Sequence, residues 1–294
     1  MHFSCKKPDI TPAYLILTVE DFEDCVDVSN FNKVHNTNYD QYELDAIKQH
    51  EFKDASVRLN GRSLAPWNIP CRIPLLPEDY SKENYIWVMP CVRMINTGVV
   101  DTEPYPFLSP VQRAFNLEKE GEYRFPNLKF EYVEWVSFPV LETYALQTTR
   151  FTSQDTAHGA NIEFGRVDER LVMKLAVTEE FPYFNIATAP FELFGQGTRQ
   201  FWELSYKCEG EITASLNFTT AMGIKYTQDM VVLRPTRGVW RKVYIDITEE
   251  VSLAAGSASR VSVGLNIRGN RMANSGTAHF YFENMKLVTM QAPN

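Results

Sequence analysis

The second half of the chain contains seven runs of alternating apolar and polar residues, separated by glycine, proline, asparagine and charged residues. In order, they are RLVMKLAVT, RQFWELSYKCE, EITASLNFTT, GIKYTQDMVVLRP, GVWRKVYIDIT, SRVSVGLNIRG and AHFYFENMKLVTM. Side chains alternate between the two faces of a β-strand, so such runs predict strands with one buried face. Several short strands divided by turn residues are typical of a β-sandwich.

One parity of these runs is apolar and predicts the core of the sandwich. Its members are Leu216, Phe218, Val243, Ile245, Ile247, Val261, Val263, Leu265, Ile267, Phe280 and Phe282. The other parity is polar and is predicted to face solvent. Its members are Ser215, Asn217, Lys242, Tyr244, Asp246, Ser262, Asn266, Arg268, Tyr281 and Glu283.

The first half of the chain also has the pattern of strands and turns. Asn60-Gly61 is a type I′ turn dipeptide between two strand-like runs and predicts a β-hairpin. The segment DTEPYPFLSP has three prolines, which exclude a helix and favour an extended connection. NTNYDQYELDAIKQHEF is the one segment of this half that could form a turn or two of helix.

Composition and length agree with an all-β chain of two domains. The 294 residues include 13% aromatic residues and sixteen prolines, which favour strands and loops over helices. The succession of strand-like runs is interrupted near residues 137–150, and a second block of such runs follows. We therefore predict a tether at 1–9, an N-terminal Ig-like or antiparallel β domain at 10–140, and a C-terminal jelly-roll β-sandwich at 141–294.

The charge of the chain restricts its partners. Its 37 acidic and 29 basic residues give a formal net charge of -8, which argues against nucleic acid as a partner. No apolar run reaches the roughly 18 residues that a membrane-spanning helix needs. Any membrane attachment is therefore expected to use an anchor.

Cys5 is a candidate for that anchor. Ser4-Cys5 has the small residue and the thiol at which bacterial lipoproteins are cleaved and lipidated, and KKPDITP follows as a short polar tether. His2 departs from the usual leucine, and an apolar segment before the cysteine is missing. The alternative is a free cysteine in an N-terminal tail. We predict lipidation of Cys5 and location at the outer membrane, with the cell-surface or periplasmic face left open.

The other four cysteines, Cys25, Cys71, Cys91 and Cys208, allow three disulfide pairings. Cys71 and Cys91 lie on runs expected to be neighbouring strands and are the candidate pair. Buried free thiols are the alternative, since cysteine is often buried without a partner.

The chain resembles two known groups of proteins. TPAYL, EDF, FKDASVRLNGRSLAPWNIPCRIPLL, YPF and YRFPNLKFEY resemble the N-terminal domain of poorly characterised lipoproteins of Bacteroidota, over about residues 10–135. GVWRKVYIDIT and AHFYFENMKLV are similar to jelly-roll carbohydrate-binding modules, over about residues 145–290.

These resemblances bear on metal binding and on the membrane face. Many jelly-roll modules have an Asp-Asn pair before the last apolar residues and use the acid for a structural calcium. Glu283-Asn284 occupies that place here, so we predict no cofactor and leave calcium open. Surface-exported lipoproteins tend to carry an acidic run after the cysteine, whereas Lys6 and Lys7 follow it here.

The sequence carries no recognisable catalytic motif, neither a G-x-S-x-G elbow nor an HExxH zinc motif. We therefore predict a protein that is not an enzyme. The first hypothesis is an anchored interaction module in an outer-membrane protein complex, with DTEPYPFLSP as its candidate surface. The alternative is a glycan-binding lipoprotein, because sugars bind where aromatic rings lie beside planar polar groups. For this alternative the candidate ligand-binding residues are Asn217, Tyr244, Asn266, Arg268, Tyr281 and Glu283.

Overall fold

The computed structural model describes residues 11–96, 98–155, 157, 159–195, 197–271 and 276–290. Cys5 lies outside these residues. Strands dominate the described chain, and the all-β prediction is confirmed. No helix in this part of the chain is long and apolar enough to cross a membrane.

The described residues before residue 132 form ten strands, two helices and one 3₁₀ turn. They are β1 Ala13–Leu17, the 3₁₀ turn Glu20–Phe22, β2 Val26–Asp27, α1 Phe31–His35, α2 Gln41–Lys48, β3 Asp54–Leu59, β4 Arg62–Asn68, β5 Cys71–Leu75, β6 Glu83–Asn96, β7 Val99–Pro104, β8 Val111–Asn116, β9 Glu122–Tyr123 and β10 Phe130–Glu131.

The described residues after this point form twelve strands and one helix. They are β11 Val136–Glu142, β12 Phe151–Ser153, β13 Glu163–Val167, β14 Arg170–Val177, β15 Tyr183–Thr188, β16 Phe191–Phe194, β17 Gln200–Cys208, β18 Glu211–Thr219, β19 Lys225–Leu233, β20 Arg241–Asp246, α3 Thr248–Ala255, β21 Arg260–Asn270 and β22 Ala278–Met290. All seven runs predicted from the second half are strands.

The chain forms two compact units whose residues interleave along the sequence. Unit 1 takes in residues up to 27, 51–92 and 102–131, and unit 2 takes in 28–50, 93–101 and 132 onward. The segment 28–50, which contains both α1 and α2, therefore belongs to the same unit as the C-terminal strands.

Unit 1 is built from small sheets. β1 pairs with β5 in antiparallel and with β9 in parallel register, and β2 pairs with β10. The largest sheet of the unit contains β4, β3, the first part of β6 and β8. The predicted hairpin at Asn60-Gly61 joins β3 to β4, and both turn residues have positive φ, 50° and 82°, as a type I′ turn requires.

Unit 2 is a β-sandwich. One layer, which we call the six-stranded sheet, has the order β12-β15-β21-β18-β19, with β16 also paired to β21. The other layer, which we call the β22 sheet, has the order β13-β14-β22-β17-β20. β11 pairs with the second half of β22, and the last residues of β6 pair with β20.

The core of unit 2 lies between these two sheets, and the predicted core parity is confirmed. All eleven residues of that parity are buried: Leu216, Phe218, Val243, Ile245, Ile247, Val261, Val263, Leu265, Ile267, Phe280 and Phe282. Phe184 adds an aromatic cluster, because its ring meets Phe280 edge-on with 4.9 Å between centroids.

The candidate disulfide between Cys71 and Cys91 does not form, and the alternative of free thiols is confirmed. Cys71 and Cys91 are both free thiols, and their strands are not neighbours, because β5 pairs with β1 whereas β6 pairs with β3. Burial raises the pKa of Cys91 to about 12 and that of Cys71 to about 11. Both thiols are therefore protonated at neutral pH and weakly nucleophilic.

The aromatic residues and the leucine of DTEPYPFLSP do not form an exposed surface. Tyr105 and Phe107 are fully buried, Leu108 nearly so, and the rings of Tyr105 and Phe107 pack against each other in unit 1. The segment contributes to the core because its aromatic side chains find apolar neighbours there. The burial of these side chains removes the aromatic part of the surface on which the docking hypothesis rested.

Candidate functional site

The six predicted ligand-binding residues divide between the outer faces of the two sheets of unit 2. Asn217, Asn266 and Arg268 lie on β18 and β21 in the six-stranded sheet, whereas Tyr244, Tyr281 and Glu283 lie on β20 and β22 in the β22 sheet. The structure therefore separates the predicted set into two groups of three residues, one on each sheet.

The first group lies on what we call the polar face, the outer surface of the six-stranded sheet. Leu216 and Leu265 point into the core, so their strand neighbours point outward. The register places Ser215 opposite Asn266 and Asn217 opposite Gly264. The polar face consists of Asn185, Ser215, Asn217, Thr227, Asp229, Asn266 and Arg268.

Hydrogen bonds between side chains hold the polar face in one arrangement. Asn266 donates from Nδ2 to Asn185 Oδ1 at 2.7 Å. Ser215 donates from Oγ to Asp229 Oδ1 at 2.8 Å, and the guanidinium of Arg268 pairs with Asp229. Because the acid and the base neutralise each other, the centre of this face carries no net charge.

Two of these residues are more buried than predicted. Ser215 is fully buried, and Asn266 is only 4% exposed. The expectation that Asn266 stands free in solvent is wrong, because Nδ2 of this residue is used within the sheet, toward Asn185 and toward the carbonyl oxygen of Ile186.

Asn217 is oriented but keeps donors available. Thr227 donates from Oγ1 to Asn217 Oδ1 at 2.8 Å, and this bond sets the plane of the amide. The Asn217 amide NH₂ group makes no hydrogen bond to the residues that the structure describes. Gly264, opposite Asn217, has no side chain; a Cβ there would come within 3.3 Å of the Thr188 carbonyl oxygen. The missing side chain therefore lets Thr188 pack closely over Gly264, which is buried.

An aromatic ring that sequence reasoning missed lies at one end of the polar face. Tyr183 begins β15, two residues before Asn185 and on the same side of the strand. Its hydroxyl bonds to the Asp155 carboxylate, and this bond raises the pKa of Tyr183 above its usual range. A sequence signal for this strand does exist. Tyr183 and Asn185 alternate with the apolar Phe184 and Ile186, which are both buried.

The second group is partly covered by the segment 28–50 and is not one open face. Tyr244 is 3% exposed, and its ring lies parallel to that of His50 with 6.3 Å between centroids. The prediction that Tyr244 faces solvent is wrong. Side-chain alternation assigns it correctly to the side away from the core, but His50 packs over that side.

Tyr281 and Glu283 are half-buried and lie near charged neighbours. Tyr281 stands between Lys174 and Lys207 in the register of the sheet, and burial raises the pKa of its hydroxyl. Glu283 accepts a hydrogen bond from Arg170 at 2.6 Å. These contacts occupy the carboxylate that was considered for calcium.

Beside Tyr244 lies a buried set of ionisable side chains, which we call the charged cluster: His50, Glu203, Lys242 and Lys286. Glu203 Oε2 lies 3.4 Å from Lys242 Nζ and 3.6 Å from Lys286 Nζ. His50 Nδ1 is 3.8 Å from the same oxygen. Glu203 and Lys286 have no solvent exposure, so this cluster is placed to stabilise the fold and not to meet a ligand from solution.

Comparison with known proteins adds little beyond the fold class. No family of known proteins matches the sequence, and no curated protein matches it. Among the described residues, no group of three or more His, Cys, Asp or Glu could hold a metal ion.

Several solved structures share the β-sandwich form. The CBM22-1 xylan-binding domain from Paenibacillus barcinonensis Xyn10C is 8% identical, with 53% of this chain and 97% of that chain covered at a TM-score of 0.38. A carbohydrate-binding module of the β-sandwich superfamily is 10% identical, with 80% and 85% covered at a TM-score of 0.35.

The enzymatically active domain of tailspike protein 4 from bacteriophage CBA120 is 12% identical, with 49% of this chain covered at a TM-score of 0.36. The match spans only 20% of the tailspike chain. At identities and TM-scores this low, the similarities carry no argument about what this chain binds.

Proposed function

We propose that the protein binds glycan through the polar face of unit 2. The observation that carries the proposal is the Asn217 amide, whose oxygen is held by Thr227 while its NH₂ group is left available. A donor that is already oriented loses little conformational entropy on binding, which favours recognition of hydroxyl groups whose positions are fixed by a sugar ring.

The surroundings of Asn217 suit an uncharged sugar. Tyr183 offers an aromatic face at the end of the sheet that carries the Asn217 amide. Because Arg268 and Asp229 pair with each other, a neutral polysaccharide fits this surface better than a charged one.

The test compares retention of variants on immobilised neutral polysaccharides and their thermal stability. Asn217→Asp keeps an oxygen for Thr227 but removes the amide donors. We expect it to weaken retention about tenfold, the cost of about one hydrogen bond, with little change in melting temperature. Gln41→Glu makes the same chemical change on the exposed surface of α2 and should retain polysaccharide normally. Equal retention by the Asn217 variant, or none by the native protein, would contradict the proposal.

We also propose that Cys5 carries lipid and tethers the protein to the outer membrane. Ser4-Cys5 and the polar residues after it support this proposal. Cys5→Ala in the complete precursor should move the protein from the membrane fraction to the soluble fraction. An unchanged distribution, with no lipid mass on the native N-terminus, would rule the anchor out.

A further inference from the structure

Unit 1 has a groove of about 110 Å³ on the outer face of its largest sheet. Its walls include Ser56 and Arg58 of β3, Trp87 and Met89 of β6, and the prolines Pro104 and Pro110. We call it the Trp87 groove. None of its residues belongs to the polar face of unit 2.

The pairing of β3 with β6 places the polar and aromatic residues of the groove side by side. Arg58 is directly opposite Trp87, and Ser56 is directly opposite Met89. Val57 and Val88, between them on the two strands, are fully buried, so these four side chains project from the outer face. Directly opposed residues have Cβ atoms about 5 Å apart, which brings the guanidinium and the indole within reach of one small ligand.

The walls of the groove are apolar and rigid. Proline has a fixed ring and no backbone N–H group, so Pro104 and Pro110 offer C–H surface without donors. The half-buried indole of Trp87 offers an aromatic face. At about 110 Å³ the groove is small, so it would take one face of a sugar ring and not a longer folded segment.

Arg58 supplies the charge that selects among such rings. It is exposed, and its guanidinium makes no ion pair or hydrogen bond with the residues that the structure describes. A cation beside an apolar groove, with no partner among the residues that the structure describes, is the feature that a negatively charged ligand would complete. A guanidinium binds a carboxylate through two parallel hydrogen bonds.

We propose that the Trp87 groove binds a uronic acid residue of a glycan. The sugar ring packs on Trp87 between the prolines, and the carboxylate of the ring pairs with Arg58. This second site differs from the polar face in residues and in the charge of the sugar that it selects, and it does not depend on the first proposal.

The experiment titrates the full chain with trigalacturonate and triglucuronate, and with the carboxyl-reduced form of each, which lacks only the charge. We expect at least one uronate to bind and its reduced form to bind at least about tenfold more weakly. Arg58→Gln should abolish that preference. Arg62→Gln removes a neighbouring exposed arginine on β4 and should have no effect. Raising the salt concentration should weaken uronate binding.

The proposal is overturned if neither uronate binds, if the reduced sugars bind equally well, or if Arg58→Gln binds as the native protein does. Asn217→Asp separates the two sites. It should leave uronate binding unchanged, whereas Arg58→Gln should leave retention on neutral polysaccharide unchanged.

Discussion

Lys286 is fully buried in unit 2, and its ammonium group lies where helix α2 ends. It donates hydrogen bonds to the carbonyl oxygens of Ile47 at 2.8 Å and Ala46 at 3.2 Å. The last carbonyls of a helix lack partners within the helix and carry partial negative charge. Lys286 therefore satisfies the end of α2, and Glu203 offsets its charge.

Burial makes the charged cluster sensitive to pH. It lowers the pKa of Lys286 from 10.5 to about 7, and it lowers the pKa of His50 well below 6.5. Below pH 6.5 the unfolded chain protonates His50 and the folded chain does not, so stability falls as the pH falls. Above pH 7 the folded chain gives up the Lys286 proton while the unfolded chain keeps it, so stability rises with pH.

We predict that the melting temperature of unit 2 rises from pH 5.5 to pH 8.5. Over the upper half of this range the folded chain releases one proton that the unfolded chain keeps. This difference raises the free energy of unfolding by about 2 kcal/mol. Lys286→Met should remove the rise above pH 7, whereas Lys225→Met, at an exposed position of β19, should keep it. The buried thiols lower stability as the pH rises, because the folded chain keeps thiol protons that the unfolded chain loses. This effect begins only near pH 9. A flat melting profile for the native protein would contradict the prediction, whether or not the Lys286 variant folds.

At the scale of elements, α2 is a short helix with defined ends. Asp40 accepts a hydrogen bond from the Glu43 backbone, and Glu43 accepts one from the Asp40 backbone, which forms a capping box. At the other end, Lys286 and Asn284 donate to backbone carbonyls of the helix. A helix of eight residues is marginal alone, so these contacts determine whether it covers the β22 sheet.

Asp40→Ala should destabilise unit 2 by about 1 kcal/mol, because the Glu43 backbone N–H at the start of α2 loses the carboxylate that accepts its hydrogen bond. Urea unfolding followed by circular dichroism measures this change. Tyr42→Ala alters a 57% exposed side chain in the same turn and should leave stability unchanged or slightly raised. Equal effects of the two substitutions would show that the cap contributes nothing.

At the scale of the whole molecule, unit 2 is assembled from distant parts of the chain. Its sandwich uses β11 and the strands after it, and the segment 28–50 covers part of the β22 sheet. Lys242 donates to the Gln49 carbonyl oxygen at 2.8 Å, across 193 positions of sequence. Removing this segment would leave buried charges without their backbone partners, which is costly.

We therefore expect a fragment of residues 132–294, which keeps β11 whole, to melt at least about 10 °C below unit 2 of the full chain, because several buried hydrogen bonds are lost. A synthetic peptide of residues 28–50 should bind this fragment and raise its melting temperature. The same peptide with Asp40→Ala should do so less well. A fragment that melts like the full chain and ignores the peptide would show that the segment is dispensable.

The sequence by itself determined the all-β class, the Asn60-Gly61 hairpin and the core of the sandwich, because turn chemistry and side-chain alternation are local properties of a strand. It could not determine which outer faces stay open. Tyr244 and Asn217 occupy equivalent outward positions, yet His50 packs over one and Thr227 orients the other. Only the tertiary structure decided between them, because a covering residue nearly two hundred positions away leaves no local pattern.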